Sequence, residues 1–217
     1  MFAAIVLGGG TGERVDLGYN KVLHKIKGKT VIEYASKKFV DDEDFAEVII
    51  VMNRDDYDRT KLIFVDKKVK VIKGGSTRQE SVYLGLMALS NSDYVFIHDG
   101  ARPNLMQSSI DKLKQEVRKS ACILYRKSHD SLVLFERDYI QSYINRDQIG
   151  RVSTPQAFQC IQIKNAYEKA KIEKRFYTDD ASLYIQELGL NVKMVEDDEY
   201  NIKITTQLDI KIMEELL

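Results

Sequence analysis

A short apolar run, Ala3-Ala4-Ile5-Val6-Leu7, breaks abruptly into Gly8-Gly9-Gly10-Thr11-Gly12, with Glu13-Arg14 next and Lys21 a little further on. The run reads as a buried strand, and the glycines as a loop whose backbone lies close to a ligand. Four glycines in five residues clear side chains away from N–H groups that can face phosphate oxygens. Arg14 and Lys21 add the charge that a triphosphate demands. Spacing excludes two commoner glycine loops. A Walker A loop ends Gly-Lys-Ser/Thr, and a dinucleotide fingerprint needs a sixth-position glycine where this chain has Glu13 or Val15. Taken alone, the glycines also suit a plain tight turn.

The chain of 217 residues is long enough for one α/β domain with a full core. Its 33 basic and 33 acidic residues cancel, so no global field draws it to nucleic acid or an anionic membrane. Any anion site must therefore be local. Cys122 and Cys160 stand in apolar surroundings without Cys-x-x-Cys spacing and read as reduced core thiols. The first residues carry no basic segment ahead of a long apolar run, and no stretch approaches transmembrane length. A cytoplasmic protein is the expectation.

Strands are predicted at Ala3–Leu7, Val48–Met52, Val69–Ile72, Tyr94–Ile97, Ala121–Leu124 and Val192–Val195. These runs are short and unalternating, as strands covered on both faces are. Thr30-Val-Ile-Glu33 reads as a capping box opening a helix through Phe39, and Thr77-Arg-Gln-Glu80 as a second. Further helical patterns occupy Gln162–Lys171, Asp180–Leu188 and Gln207–Leu217. The alternation predicts an α/β fold, Rossmann-like, with a mostly parallel sheet, helices on both faces and the ligand at the carboxyl ends of the strands. Ser128–Gly150 breaks this pattern with two β-prone stretches and no clear helix. It reads as a projecting β-arm that meets a partner chain, or as an edge hairpin lying on its own domain.

Three more constellations bear on chemistry. In Gly74-Gly75-Ser76-Thr77-Arg78-Gln79-Glu80-Ser81-Val82, two glycines turn the chain into a capped helix whose N-terminus favours anions. Arg78 and Ser81 can then reach a base or ribose. His98-Asp99-Gly100-Ala101-Arg102-Pro103 puts a carboxylate just past a buried strand, where it suits a hard cation such as Mg²⁺. A structural Asp99–Arg102 pair is the plainer reading, and His98 reads as a loop-orienting hydrogen bonder. Late in the chain come Asn145-Arg146, Ser153-Thr154-Pro155-Gln156, Thr178-Asp179-Asp180-Ala181-Ser182 and Asn201-Ile202-Lys203-Ile204-Thr205.

Together these motifs, in this order and over nearly the whole chain, resemble the sugar-alcohol-phosphate cytidylyltransferases, whose branches act on 2-C-methyl-D-erythritol 4-phosphate or D-ribitol 5-phosphate. The resemblance implies that Leu7, Gly8, Gly9, Gly10 and Gly12 line a CTP phosphate loop. It implies that Gly74, Arg78, Ser81 and Asp99 hold the nucleotide, with Mg²⁺ on Asp99. Arg14, Lys21, Arg146 and Lys203 become the catalytic cations, and Arg102, Ser131, Arg146, Thr154 and Lys203 the acceptor site. It also implies a homodimer in which the arm within 128–150 helps build the partner's acceptor site. Chemistry then consists of in-line attack of an acceptor phosphate oxygen on the α-phosphorus of CTP, eased by fixed cations and needing no nucleophilic side chain.

Two departures stand out. The family lysine usually follows proline, whereas Asn20 precedes Lys21, which is expected to loosen the loop. After Cys122 the family's Pro-Val, Asp-Thr, Ile/Met-Lys segment is replaced by Ile123 through Leu132. Here Asp130-Ser131 stands for Asp-Thr and the following lysine is missing. The methylerythritol branch is favoured over ribitol. A catalytically silent nucleotide-binding module and a sugar-1-phosphate nucleotidyltransferase are the readings from outside the family.

Overall fold

The computed structural model describes residues 1–10, 15 and 17–217. Gly12 and Arg14 lie outside the described residues. Eleven strands and seven α-helices alternate along the described chain. The strands of the main sheet are β1 (Phe2–Leu7), β4 (Phe45–Met52), β5 (Val69–Lys73), β6 (Tyr94–Asp99), β7 (Cys122–Lys127), β10 (Gly150–Gln159) and β11 (Lys193–Glu196). Their order is β11-β7-β10-β6-β1-β4-β5. All neighbours run parallel except β10, which is antiparallel to both β6 and β7.

The unalternating runs fold as expected because both faces of the central strands are covered. In β1, Ala4 and Val6 join one buried cluster with α1 (Val31–Asp41) and α4 (Gln107–Glu116), while Ala3 and Ile5 join the other. That second cluster contains α3 (Arg78–Ala88), α5 (Cys160–Ile172) and α6 (Asp180–Leu188). Val48, Ile50 and Met52 of β4 face the first cluster, and Ile49 and Val51 the second. Each fully buried side chain of this size contributes about 1.5–3 kcal/mol. The last helix, α7 (Gln207–Leu216), closes a third cluster through Ile210 and Met213. Cys122 and Cys160 are free, and burial pushes both thiols up to about 12.

The capping box at Thr30 forms in full, and its helix runs two residues past Phe39. At Thr77 only half of the expected box forms. The Thr77 hydroxyl accepts from Glu80 N, but the Glu80 carboxylate accepts from Ser76 N and Oγ instead of the Thr77 amide. The edge strands β5 and β11 are only partly covered, unlike the expectation for all six runs. The segment around Lys203 is irregular. Sequence patterning missed α2 (Tyr57–Ile63), α4 and β10, as well as the small hairpin of β2 (Lys25–Ile26) and β3 (Lys29–Thr30).

The region 128–150 does form a hairpin. Strands β8 (Leu132–Glu136) and β9 (Tyr139–Ile144) pair antiparallel as a separate two-stranded sheet. Its apolar side chains face outward, with Phe135 at 72% and Tyr139 at 75% exposure. Among the described residues no helix is long and apolar enough to cross a membrane.

Candidate active site

The carboxyl ends of β1 and β6 lie side by side, with Leu7 level with Asp99. A cleft of about 580 Å³ opens there, and its walls include Gly9, Gly10, Lys21, Arg78, Asp99 and Lys203. Leu7, Gly75 and Ser81 also line it. Thus the first glycine loop, the first turn of α3, the end of β6 and the late lysine, separated by up to two hundred residues, meet at one place.

Gly8 serves packing rather than the cleft wall. A Cβ there would lie 2.2 Å from Met52 Sδ and 2.8 Å from Ile32 Cδ1, so any side chain collides with the core. Gly74 is likewise wedged, with Ser81 Oγ 2.8 Å from where its Cβ would stand. It is the neighbouring Gly75 that reaches the cleft, its amide donating to Ser81 Oγ at 3.1 Å.

Asp99 is the electrostatic centre. Lys203 Nζ donates to its Oδ2 at 2.8 Å, while Arg78 Nε and Arg102 Nε each stand 3.7 Å from a carboxylate oxygen. Burial alone raises the pKa of Asp99. Arg78, Lys203 and Arg102 outweigh it and hold the carboxyl well below the usual carboxylate range. Asp99 is therefore ionised throughout the physiological range. Among the described residues there is no group of three or more His, Cys, Asp or Glu side chains able to hold a metal by protein alone. A single carboxylate at a phosphate-sized cleft does fit Mg²⁺, which takes one or two protein oxygens and completes its shell with phosphates and water.

Arg78 was expected to reach a base or ribose, but both its terminal nitrogens are committed elsewhere. NH1 and NH2 donate to Asp180 Oδ1 and Oδ2 at 3.1 and 2.7 Å. Asp180 is fully buried and also accepts from the Tyr167 hydroxyl. This fork aims the remaining Arg78 edge at Asp99. Sequence reading noted the Thr178–Ser182 motif without finding this role. The signal was an Asp at the buried first turn of α6, a place where an unpaired carboxylate is costly.

His98 behaves as the loop-orienting residue expected. Its Nε2 faces the Arg102 carbonyl at 3.1 Å, and a carbonyl only accepts, so Nε2 carries the proton. Nδ1 then accepts from Thr154 Oγ1 at 3.1 Å, and that same oxygen accepts from Asp99 N at 3.0 Å. Thr154 and Arg102 thus sit behind Asp99, buried, and position the end of β6. Arg102 also donates to the Asn201 carbonyl at 2.9 Å. Asn201 in turn donates to Thr154 O and Asp197 Oδ2, at 2.9 and 2.8 Å, and Ile204 N donates to Ala101 O, which fastens the Lys203 segment to β6.

Burial drives His98 down to about 4, so it stays neutral in the fold. The unfolded chain takes up a proton below about 6.5, which the folded chain refuses until about 4. Stability from this residue is full above pH 6.5 and is lost as pH falls toward 4. Between pH 7 and pH 5 the loss is about 2 kcal/mol. Urea unfolding at both pH values checks this, and the drop should vanish in His98→Gln. An equal drop in that variant would remove His98 as the cause.

Of the acceptor candidates only Lys203 lines the cleft; besides the buried Arg102 and Thr154, two more stand away from its walls. Arg146 lies exposed at the foot of the hairpin, its NH1 donating to His129 O at 3.0 Å, and Ser131 is exposed just before β8. Asn20, expected to loosen the loop, is 5% exposed and its amide donates to the Gly8 carbonyl, which joins the described ends of the loop.

A glycine-lined cleft with cations converging on one carboxylate, at the strand ends of a mostly parallel sheet, defines a site built for a polyphosphate. The family model for 2-C-methyl-D-erythritol 4-phosphate cytidylyltransferase matches residues 2–217. Curated proteins of that name from Halalkalibacterium halodurans and Geobacillus thermodenitrificans are 33% and 35% identical, with 100% of this chain and 96% of each relative aligned. The crystal structure of 4-diphosphocytidyl-2C-methyl-D-erythritol synthase from Anaerococcus prevotii superposes with a TM-score of 0.88 at 32% identity, covering 100% of this chain and 95% of that one. The 2-C-methyl-D-erythritol 4-phosphate cytidylyltransferase of Francisella tularensis gives 0.84 at 28% identity, covering 100% and 99%. The chain belongs to the 2-C-methyl-D-erythritol 4-phosphate cytidylyltransferase family.

Proposed function

We propose that this protein transfers CMP from CTP to 2-C-methyl-D-erythritol 4-phosphate and releases pyrophosphate. The observation that carries the reading is the convergence of Lys21, Arg78 and Lys203 with the glycine loop around Asp99 in one cleft. An oxygen of the acceptor phosphate attacks the α-phosphorus in line, a new P–O bond forms, and the bond to the β-phosphate oxygen breaks. Two anions must approach, so repulsion is the main obstacle, and fixed cations lower it. Gly9 and Gly10 present backbone to the triphosphate, Lys21 neutralises charge at the α-phosphate, and Lys203 lies on the acceptor side. Gly12 and Arg14 complete the loop in this reading. Mg²⁺, held by Asp99 and phosphate oxygens, supplies further charge neutralisation when bound.

Pyrophosphate release is measured with CTP, Mg²⁺ and one acceptor at a time. Faster turnover of 2-C-methyl-D-erythritol 4-phosphate than of D-ribitol 5-phosphate is expected. Preference for ribitol phosphate would move the chain to the other branch, hexose-1-phosphate turnover would move it outside both, and CTP binding with no release would make it a silent module.

The chain in this reading is one domain, 1–217, cytoplasmic, with the hairpin as a homodimerisation arm. Support comes from the outward apolar faces of β8 and β9 and from the exposure of Arg146 and Ser131, neither of which lines the cleft of one chain. Sedimentation should show a dimer, and Phe135→Ser with Tyr143→Ser should give monomers with at least about tenfold lower turnover, as expected when positioning contacts are lost. A dimer that survives both changes would place the interface elsewhere.

A further inference from the structure

The residue immediately before Lys21 joins three segments with one buried amide. Asn20 Nδ2 donates to the Gly8 carbonyl at 2.7 Å and to Asp56 Oδ2 at 2.9 Å. Its Oδ1 accepts from Val22 N at 3.3 Å, capping the 3-10 turn Lys21–Leu23. Asp56 is itself fixed by Asn53, whose Nδ2 donates to Asp56 Oδ2 and whose Oδ1 accepts from Asp56 N, both at 2.8 Å. The amide thus ties the start of the glycine loop, the turn that carries Lys21 and the loop after β4 into one unit. The Asn20 backbone has φ −63° and ψ 117°, close to the φ that a proline ring enforces.

We propose that Asn20 is a positioning residue that acts through Lys21, with Asp56 as its outer anchor. The proposal rests on the nucleotidyl-transfer reading given above. A lysine ammonium on a four-carbon stem is a useful transition-state cation only if the stem's origin is fixed against the phosphate loop. Asn20 fixes both at once, because the same Nδ2 that holds Gly8 belongs to the residue bonded to Lys21. A residue that merely stabilised the fold would lower activity by a similar factor whether or not Lys21 were present. A residue acting through Lys21 would not.

The test is a double-mutant cycle on Asn20 and Lys21, read as kcat with saturating CTP and acceptor, with melting temperature measured in parallel. Asn20→Ala should lower kcat about tenfold, the equivalent of one lost hydrogen bond at its upper range. In the Lys21→Ala background the same change should cost less than about twofold. Asn20→Pro keeps the backbone φ without the amide and should recover turnover to within about threefold of the parent. Equal losses in both backgrounds, or proline no better than alanine, overturn the proposal. If Asn20→Ala does not fold, Asp56→Ala removes only the outer anchor, and the same cycle with a loss of about threefold carries the test. If the parent protein turns over no acceptor, the functional reading fails separately. The cycle is then read on CTP affinity by titration calorimetry, where coupling supports the proposal and additivity, or no CTP binding at all, overturns it.

Discussion

Lys21→Ala should lower turnover about 10²–10³-fold, the loss seen when one fixed charge-stabilising donor is removed from a reacting anion. Lys21 lines the cleft beside Gly9 and Gly10 and is held in a buried turn, so its charge is delivered in a place with little water to screen it. The effect belongs in kcat, because a cation aimed at the α-phosphate gains most as charge builds during transfer. Rapid-quench measurement of a single turnover, with CTP affinity determined separately, separates the two. A variant that binds CTP several-hundredfold more weakly but reacts at the parent rate once saturated would make Lys21 a ground-state binding residue instead.

The second large effect is on stability. Asp180→Ala should destabilise the fold by about 3 kcal/mol, because Arg78 loses two charge-assisted hydrogen bonds to a buried carboxylate and keeps only Asp99, 3.7 Å from its Nε. For a chain of this size that corresponds to a fall of about 6–12 °C in Tm. Tyr167 loses its acceptor in the same step. Asp180→Asn retains a carbonyl oxygen for one of these donors and should cost less. CTP affinity should fall as well, because the fork that aims Arg78 is gone. Calorimetric unfolding of both variants decides the matter, and an unchanged Tm in Asp180→Ala would show that Arg78 finds solvent or another acid at little cost.

The sequence made the strand-ends and the residues that line the cleft legible because each belongs to a local pattern. An apolar run ending in glycines announces Gly9 and Gly10, a Thr-x-x-Glu start announces Arg78, and an acid just past a buried run announces Asp99. What stayed hidden is the support behind them. Asp180 lies 102 residues from Arg78, and Asn201 lies 47 from Thr154 and 99 from Arg102, so no short-range period links them. Strand β10 escaped for a different reason. Its Gly150 and Pro155 argue against a central strand; Gly150 pairs with Lys127 in register, and Pro155 falls within the register shift between Val152 and Gln156. The role of Asn20 is hidden for a related reason: a proline's restraint is visible in one residue, whereas the bonds of this buried amide depend on partners at Gly8, Val22 and Asp56.

The single reversed strand has a consequence for how signals could enter the molecule. Because β10 runs against β6, it begins at the end of the sheet where β6 finishes. The hairpin that precedes β10 and the carboxylate that ends β6 therefore share one rim, and Thr154 is the short mechanical link between them. Between the hairpin and the amide of Asp99 stand only the first residues of β10, up to Thr154, whose Oγ1 accepts from that amide at 3.0 Å. The outer surface of the hairpin and the reaction centre are thus neighbours along one strand.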